Sequence, residues 1–201
     1  SASGGEPVFR VDPGASLVTL TVRRAGSLAR LGHDHVVASH AVQGYVSTRE
    51  GRADLYVPLS ELSVDEPALR AQAGLDTQPT AADIEGTRSN MQDKVLRVQE
   101  FPYALVQVRG VEGQDLAAGR AQASVSVTLL GTSRSARVPL ELAATPRGLR
   151  ARGTLALKQT DFGIAPFSIL GGAIQVRDEV DVRFDIQALQ PDPGARLATG
   201  P

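Results

Sequence analysis

The sequence of 201 residues contains no cysteine, no surplus of basic residues and no long apolar run. Without cysteine the chain has no disulfide, thiolate zinc site, iron–sulfur cluster or cysteine nucleophile. Its 21 Lys and Arg stand against 22 Asp and Glu, which does not fit a nucleic-acid partner. No apolar run approaches the roughly 18–20 residues of a membrane-spanning helix. We therefore expect a soluble, globular chain of one domain that does not span a membrane.

The sequence also lacks the usual catalytic signatures. It contains no GxGxxG, GxxxxGK[ST], HExxH or GxSxG motif, and GTSRS at 131–135 fails the last pattern. Most acidic residues alternate with apolar ones and are typical of solvated strand faces. We therefore predict that the protein is not an enzyme.

Alternation of apolar and polar residues with a period of two dominates the chain and predicts strands. The clearest run is Val180, Val182, Phe184 and Ile186, and breaks at 109–113, 131–135 and 146–148 separate such runs. The other runs carry apolar residues at 18/20/22, 55/57/59, 106/108, 125/127/129, 138/140/142 and 155/157. Many short strands with hairpin-length gaps indicate a closed antiparallel barrel or a sandwich, and closure leaves no exposed edge.

One segment follows a helical period instead. Between Thr80 and Leu96 the apolar residues Ile84, Met91 and Val95 fall at helical spacing, and Thr80 followed by Asp83 predicts an N-terminal capping arrangement. We expect one inserted helix there, preceded by an irregular loop over 63–79.

The two ends of the chain are polar. We expect a flexible segment over 1–7, a domain over 8–189 and a disordered tail over 190–201. Because the sequence starts at Ser1 rather than at Met, export to the periplasm or the medium is a further expectation.

The three histidines lie within eight residues, as His33, His35 and His40. On a strand His33 and His35 share a face, as two ligands of one metal would, whereas His40 points to the other face. Asp34 is expected to form a hydrogen bond locally in the turn after Gly32. Histidines that line a ligand site are the leading interpretation, and a metal or haem site that uses His33 and His35 is the alternative.

A second concentrated feature is the stretch 160–182, in which large apolar residues occur beside glycines and Pro166. It predicts a connection that folds inward, either as a plug of the barrel end or as a wall of an apolar cavity. Its five apolar residues are Phe162, Ile164, Phe167, Ile169 and Leu170.

The order of four segments resembles the YceI-like family. They are FRVDPGASLVTLTVRR, TRSNMQDKVLRVQEFPYALVQV, LLGTSRSARVPLEL and KQTDFGI, which together cover about 8–188. The resemblance implies an eight-stranded antiparallel, lipocalin-like barrel with a helix packed against it. It also implies an exported bacterial protein that holds a polyisoprenoid or another long lipid and performs no catalysis.

Strand parity predicts which side chains face a ligand in such a barrel, with His33 and His35 at its mouth. The predicted ligand-binding residues are Leu20, Val22, His33, His35, Met91, Val106, Val108, Val127, Leu129, Phe162, Phe167, Ile169 and Phe184. No cofactor other than the bound lipid is expected, and no metal ligand is assigned. A small interaction module with a filled barrel is a third hypothesis, and a homodimer is left open.

Overall fold

The computed structural model describes residues 8–115 and 118–192, and most of them lie in strands. The fourteen strands found there are β1 (Val8–Val11), β2 (Leu17–Val22), β3 (Arg24–Ala25), β4 (His35–Ser39), β5 (Gln43–Ser47), β6 (Arg52–Pro58), β7 (Ser63–Val64), β8 (Tyr103–Asp115), β9 (Arg120–Leu129), β10 (Thr132–Thr145), β11 (Gly148–Lys158), β12 (Ser168–Ile169), β13 (Ile174–Val176) and β14 (Glu179–Leu189). Every predicted run overlaps one of these strands. The expected break at 109–113 does not end β8, because the strand absorbs these residues as register shifts against β9.

The main sheet closes into an eight-stranded antiparallel barrel. Its order is β1–β5–β6–β8–β9–β10–β11–β14, and β14 pairs back onto β1. Three short strands, β2, β4 and β7, extend the same sheet beyond β14, while β12, β13 and β3 form a separate small sheet. The predicted lipocalin-like barrel is confirmed.

Two strands share one edge of β14. Its C-terminal end pairs with β1 and its N-terminal part pairs with β2. Between them the 3₁₀ turn Pro13–Ala15 bends the chain, capped by the Asp12 side chain on the Gly14 N–H. The buried Ser16 hydroxyl accepts a hydrogen bond of 3.0 Å from the Gln187 N–H, which would otherwise lose its partner at the bend.

The insertion between β7 and β8 holds two helices, α1 (Pro67–Gln72) and α2 (Ala81–Asn90), and a π-helical turn over Met91–Val95. The predicted helix is confirmed, and Thr80 and Asp83 form a reciprocal capping box. The expectation of an irregular loop over 63–79 is wrong, because β7 and α1 lie within it. Pro67 occupies the first turn of α1, where its missing N–H is tolerated.

Apolar side chains of alternate residues fill the inside of the barrel. In β14 the buried residues Val180, Val182, Ile186 and Ala188 alternate with more exposed ones. Ile84, Met91 and Leu96 pack over one end of the barrel against a buried cluster that includes Val37 and Val64. The insertion therefore covers the barrel end rather than a side wall.

The expected flexible segment 1–7 and most of the expected tail, 193–201, lie outside the described residues. Of the helices in the described part, none has the length and apolar character needed to cross a membrane.

The close approach of β5 to β6 provides a test of the fold. A Cβ at Gly44, whose φ is +144°, would lie 2.1 Å from the Asp54 carbonyl oxygen, whereas a Cβ at Gly110 meets nothing within 4 Å. Because the clash at Gly44 is with backbone, Gly44→Ala should reduce the free energy of unfolding by more than about 2 kcal/mol. Gly110→Ala should change it by less than about 1 kcal/mol. Urea unfolding of both variants checks this, and equal effects would contradict the register of β5 and β6.

Candidate functional site

One end of the barrel, which we name the upper end, carries the long connections. There β2, β6, β9 and β11 finish and β4, β8, β10 and β14 begin. The connections 23–34, 59–102 and 159–178 therefore meet at this end. They bring together the histidines, the inserted helices and the apolar stretch that the sequence analysis singled out.

His33 and His35 lie side by side at the upper end. His35 is the first residue of β4 and pairs with Val22, and the two imidazole rings are 6.3 Å apart in an edge-on arrangement. The side chain of His35 is 15% exposed, and its Nδ1 lies 2.6 Å from Oδ2 of Asp65. The Nδ1 atom of His33 is buried and has no hydrogen-bond partner among the described residues. This pair therefore holds an unused polar atom at the barrel mouth.

A buried ion pair orients His35. The Asp65 carboxylate receives hydrogen bonds from the Val36 N–H at 3.0 Å and from Arg70 Nη1 at 2.7 Å, and both charged side chains are almost fully inaccessible. Arg70 also donates to the carbonyl oxygens of Asp34 and Thr77. The ion pair thus joins β4, α1 and the segment before α2. The contact between Asp65 and Nδ1 of His35 fixes the orientation of the His35 ring.

Burial by itself would raise the pKa of Asp65. The hydrogen bonds from His35, the Val36 N–H and Arg70 together outweigh it and hold the pKa of this carboxyl below its ordinary value. Because an ionised carboxylate only accepts hydrogen bonds, Nδ1 of His35 donates to it. The Nε2 atom of His35 is then the ring nitrogen left for another partner.

His40 does not join the other histidines. It follows β4 and its Nε2 lies 2.8 Å from Oε2 of Glu66, which also accepts from the Ser63 hydroxyl at 2.5 Å. Burial raises the pKa of Glu66, but the bonds from Ser63 and His40 leave it lowered overall. Within 8–115 and 118–192 no three side chains of the His, Asp and Glu types converge as metal ligands.

The expectation of a local turn bond for Asp34 is wrong. Its carboxylate instead accepts from the Arg24 N–H at 2.8 Å, ten residues earlier, while the Arg24 guanidinium donates to the Gly32 carbonyl. The two sides of the loop 24–34 therefore hold each other, so that the loop closes on itself before β4 begins.

Most of the predicted ligand-binding residues line what we name the inner wall, the apolar side of the barrel strands that faces the interior. Phe184 lies at the junction of two apolar clusters, and Met91 reaches the wall from the π-helical turn. The others that pack in these clusters are Leu20, Val106, Val108, Val127, Leu129 and Phe162. Their role in binding a ligand stays a prediction.

Three predicted residues lie apart from these clusters. Val22 ends β2 beside His35, and Phe167 is partly buried in the connection before β12. Ile169 does not face the interior, because the hairpin of β12 and β13 pairs with β3 outside the barrel and leaves this side chain 46% exposed. Of the five apolar residues singled out in the stretch 160–182, only Phe162 and Ile164 are buried.

Sequence reasoning missed the ion pair of Asp65 and Arg70. The two residues lie in a polar segment without periodicity, and the partners of the pair in and before β4 are about 30 residues distant along the chain. The one local signal was Pro67 after Glu66, which is typical of a helix start.

The inner wall is not completely filled by its own side chains. Several inward apolar residues of the barrel strands and of β2 are only partly buried, although residues beside them on the same wall are fully buried. The partly buried ones are Leu20, Val106, Val108, Leu129, Leu155, Leu157 and Phe184. Leu155 and Phe184 also line depressions of the outer wall, and the partial accessibility of the other five indicates a narrow apolar lumen.

Two depressions on the outer wall have a different character. The larger, of about 850 Å³, is lined by charged residues such as Glu141, Arg152 and Arg183 together with apolar residues such as Leu140 and Phe184. The smaller, of about 500 Å³, lies between α1 and the sheet and is lined by Thr19, Thr21 and Asp181 among others. Both are lined by a mixture of apolar, polar and charged side chains.

Comparisons with known proteins agree with this architecture. The model of the YceI-like domain matches residues 9–188. A polyisoprenoid-binding domain from Saccharophagus degradans implicated in plant cell wall breakdown superposes with a TM-score of 0.65 at 16% identity, covering 91% of this chain and 98% of that one. Burkholderia cenocepacia BcnA superposes with a TM-score of 0.60 at 14% identity, covering 88% and 98%. No curated protein matches the sequence.

The buried ion pair predicts an asymmetry between two neighbouring carboxylates. Asp65→Asn leaves the Arg70 charge buried and poorly compensated, so the free energy of unfolding should fall by about 3–5 kcal/mol. Glu66→Gln is the matched control, because the side chains of Glu66 and His40 are partly exposed, and it should cost about 1 kcal/mol or less. Urea unfolding at neutral pH measures both. Equal losses would show that the buried pair does not hold this end together.

The lowered pKa of Asp65 also predicts a pH dependence. A carboxyl whose pKa is lower in the folded state stabilises the fold above its unfolded pKa of about 3.9, and the contribution disappears as the pH falls through the folded value. The difference in unfolding free energy between wild type and Asp65→Asn should therefore shrink below about pH 4. Unfolding curves across acidic pH check this, and a constant difference would contradict the account of Asp65.

Proposed function

Because this chain belongs to the YceI-like family, we propose that it is a lipid carrier that holds a polyisoprenoid or similar long apolar chain inside its barrel. The family and the polyisoprenoid-binding relative support a binding role rather than catalysis. The observation that carries the proposal is the inner wall of the closed barrel, several of whose apolar residues stay partly accessible.

Burial of apolar surface supplies the affinity for such a ligand. Each Å² of apolar surface removed from water contributes about 25 cal/mol without requiring a directional contact. A slender isoprenoid chain fits an eight-stranded barrel, whose interior has room for side chains or one small ligand. Binding of this kind needs no polar motif along the wall.

The imidazole pair gives the polar end of the ligand its position at the mouth. The buried Nδ1 of His33 has no partner in the described structure, and an unsatisfied buried polar atom costs about 1–3 kcal/mol. A hydroxyl, carbonyl or phosphate oxygen of the ligand removes this cost when it binds there. Asp65 holds His35 in place beside it.

The metal or haem alternative is not favoured by the same geometry. No third side chain of the His, Asp or Glu type joins His33 and His35 as a metal ligand within the described ranges, and His40 is paired with Glu66 away from them. We propose that the carrier acts in the periplasm or outside the cell, where a long apolar lipid has to cross an aqueous gap to reach a membrane. Fractionation of cells that express the full-length gene tests this location.

A substitution that fills the lumen tests the binding mode. Val108 of β8 faces the interior, and Leu105 of the same strand is 44% exposed on the outer wall. Val108→Phe should abolish retention of a long isoprenoid, measured by mass spectrometry of lipid extracted from purified protein, while the thermal midpoint stays nearly unchanged. Leu105→Phe is the matched control and should retain the lipid.

The opposite result distinguishes a filled barrel from a hollow one. If side chains already occupied the interior, Val108→Phe would overpack it and lower stability by about 1–3 kcal/mol. Such a loss, with no lipid in the wild-type extract, would contradict the proposal and favour an interaction module.

A further inference from the structure

The upper end of the barrel carries a small lobe that projects beyond the strands. It consists of residues 23–34 and 163–177, which we name the rim lobe. The strands β3, β13 and β12 pair within it, the Leu28 N–H donates to the Ala173 carbonyl at 2.8 Å, and the Arg177 N–H donates to the Arg23 carbonyl at 2.7 Å. The rim lobe contains His33 and is followed directly by His35, and it therefore lies beside the mouth.

Large apolar side chains on the rim lobe point into solvent. Leu170 is 68% exposed and Leu31 is 61% exposed, the two highest values among the large apolar residues of the described chain. Ile169 adds to them from the same hairpin. An exposed apolar group of this size beside a ligand entrance is typical of an interaction surface.

The backbone of Leu170 makes this exposure more unusual. Its φ of +52° lies in the left-handed region, which disfavours bulky side chains, and the next two residues are glycines that also have positive φ. Leu130, in the hairpin between β9 and β10, has a similar φ of +47°, but it packs against the interior cluster. Leu170 has no such packing within the fold, so a strained and exposed leucine there indicates a role outside it.

The charge of the rim lobe is opposite to that of the chain. It contains four arginines and one acidic residue, Asp34, which gives it a charge of +3 in a protein of net charge −1. Arg30 and Arg177 make no ion pair with any residue in the described ranges. Asp161 and Asp178 lie at its base, where Asp178 is held by Thr160.

We propose that the rim lobe docks on the surface of an anionic lipid bilayer, with Leu31, Ile169 and Leu170 inserted among the acyl chains and Arg30 and Arg177 on the headgroups. This deepens the proposed function, because a carrier that exchanges lipid with a membrane must bring its mouth to it. Apolar side chains bind weakly among the acyl chains, and cationic side chains bind weakly to anionic headgroups. A surface that carries both therefore suits an anionic membrane.

Vesicle binding by the full chain tests the proposal. Wild-type protein should sediment with phosphatidylcholine vesicles that contain phosphatidylglycerol, and much less with phosphatidylcholine alone. Arg30→Gln/Arg177→Gln should weaken binding to the anionic vesicles by about fivefold for each arginine removed. Raising the salt concentration should reduce the binding of wild type more than that of this variant.

Leu170→Asn separates docking from folding. Asparagine tolerates positive φ, so the thermal midpoint should stay unchanged or rise while vesicle binding falls by roughly tenfold. Leu105→Asn, on the outer wall, is the matched control and should bind vesicles as wild type does. Equal losses of vesicle binding in Leu170→Asn and Leu105→Asn would overturn the proposal, as would wild-type binding that does not depend on phosphatidylglycerol.

Two further readouts keep this proposal distinct from the carrier function. Lipid retained by purified Leu170→Asn should equal that of wild type, since Leu170 lies outside the lumen. Vesicle binding without any retained lipid would leave the docking surface standing and remove the carrier. Light scattering that shows wild type, but not Leu170→Asn, forming dimers without vesicles would instead assign the rim lobe to a second copy.

Discussion

Closure of the sheet at β14 is the constraint on which the rest of the structure depends. One edge of this strand pairs with β1 near its C-terminus and with β2 nearer its N-terminus, so the chain between them must bend without leaving the ladder unpaired. The turn Pro13–Ala15 makes the bend, and Ser16 replaces the missing backbone partner of Gln187. With the edge closed, every long strand has one face toward the interior, and the alternating pattern becomes an apolar wall.

The same bend determines what lies at the mouth. Because β2 continues past the closed barrel, β4 and β7 pair beyond it and bring His35 and Asp65 to the upper end. The ion pair of Asp65 and Arg70 then holds α1 against the start of β4. The helix α2 and the π-helical turn cover the interior with Ile84 and Met91. The apolar lumen, the imidazole pair and the arginine-bearing rim lobe thus follow one another from the inside of the barrel to its outer rim, which suits a lipid that enters tail first.

The sequence predicted those parts of the fold that depend on neighbours along the chain. Alternation identifies a strand such as β14 because successive side chains point to opposite faces of the sheet. The two members of the capping box, Thr80 and Asp83, are only three residues apart. Contacts between distant segments were missed: the carboxylate of Asp65, the cross-loop bond of Asp34 to Arg24, and the outward hairpin that carries Ile169 and Leu170. A run of large apolar residues gives no sign of whether its hairpin turns inward or pairs with β3. The resemblance to a family supplied closure, which periodicity alone left open between a barrel and a sandwich.

Native mass spectrometry of the untagged protein, followed by mass analysis of whatever it releases on denaturation, tests the central claim most directly. The account predicts one bound species of lipid mass per chain, with the fragmentation pattern of an isoprenoid or acyl chain. A chain that carries only its polypeptide mass after gentle purification, and that takes up no isoprenoid when one is supplied, would contradict it.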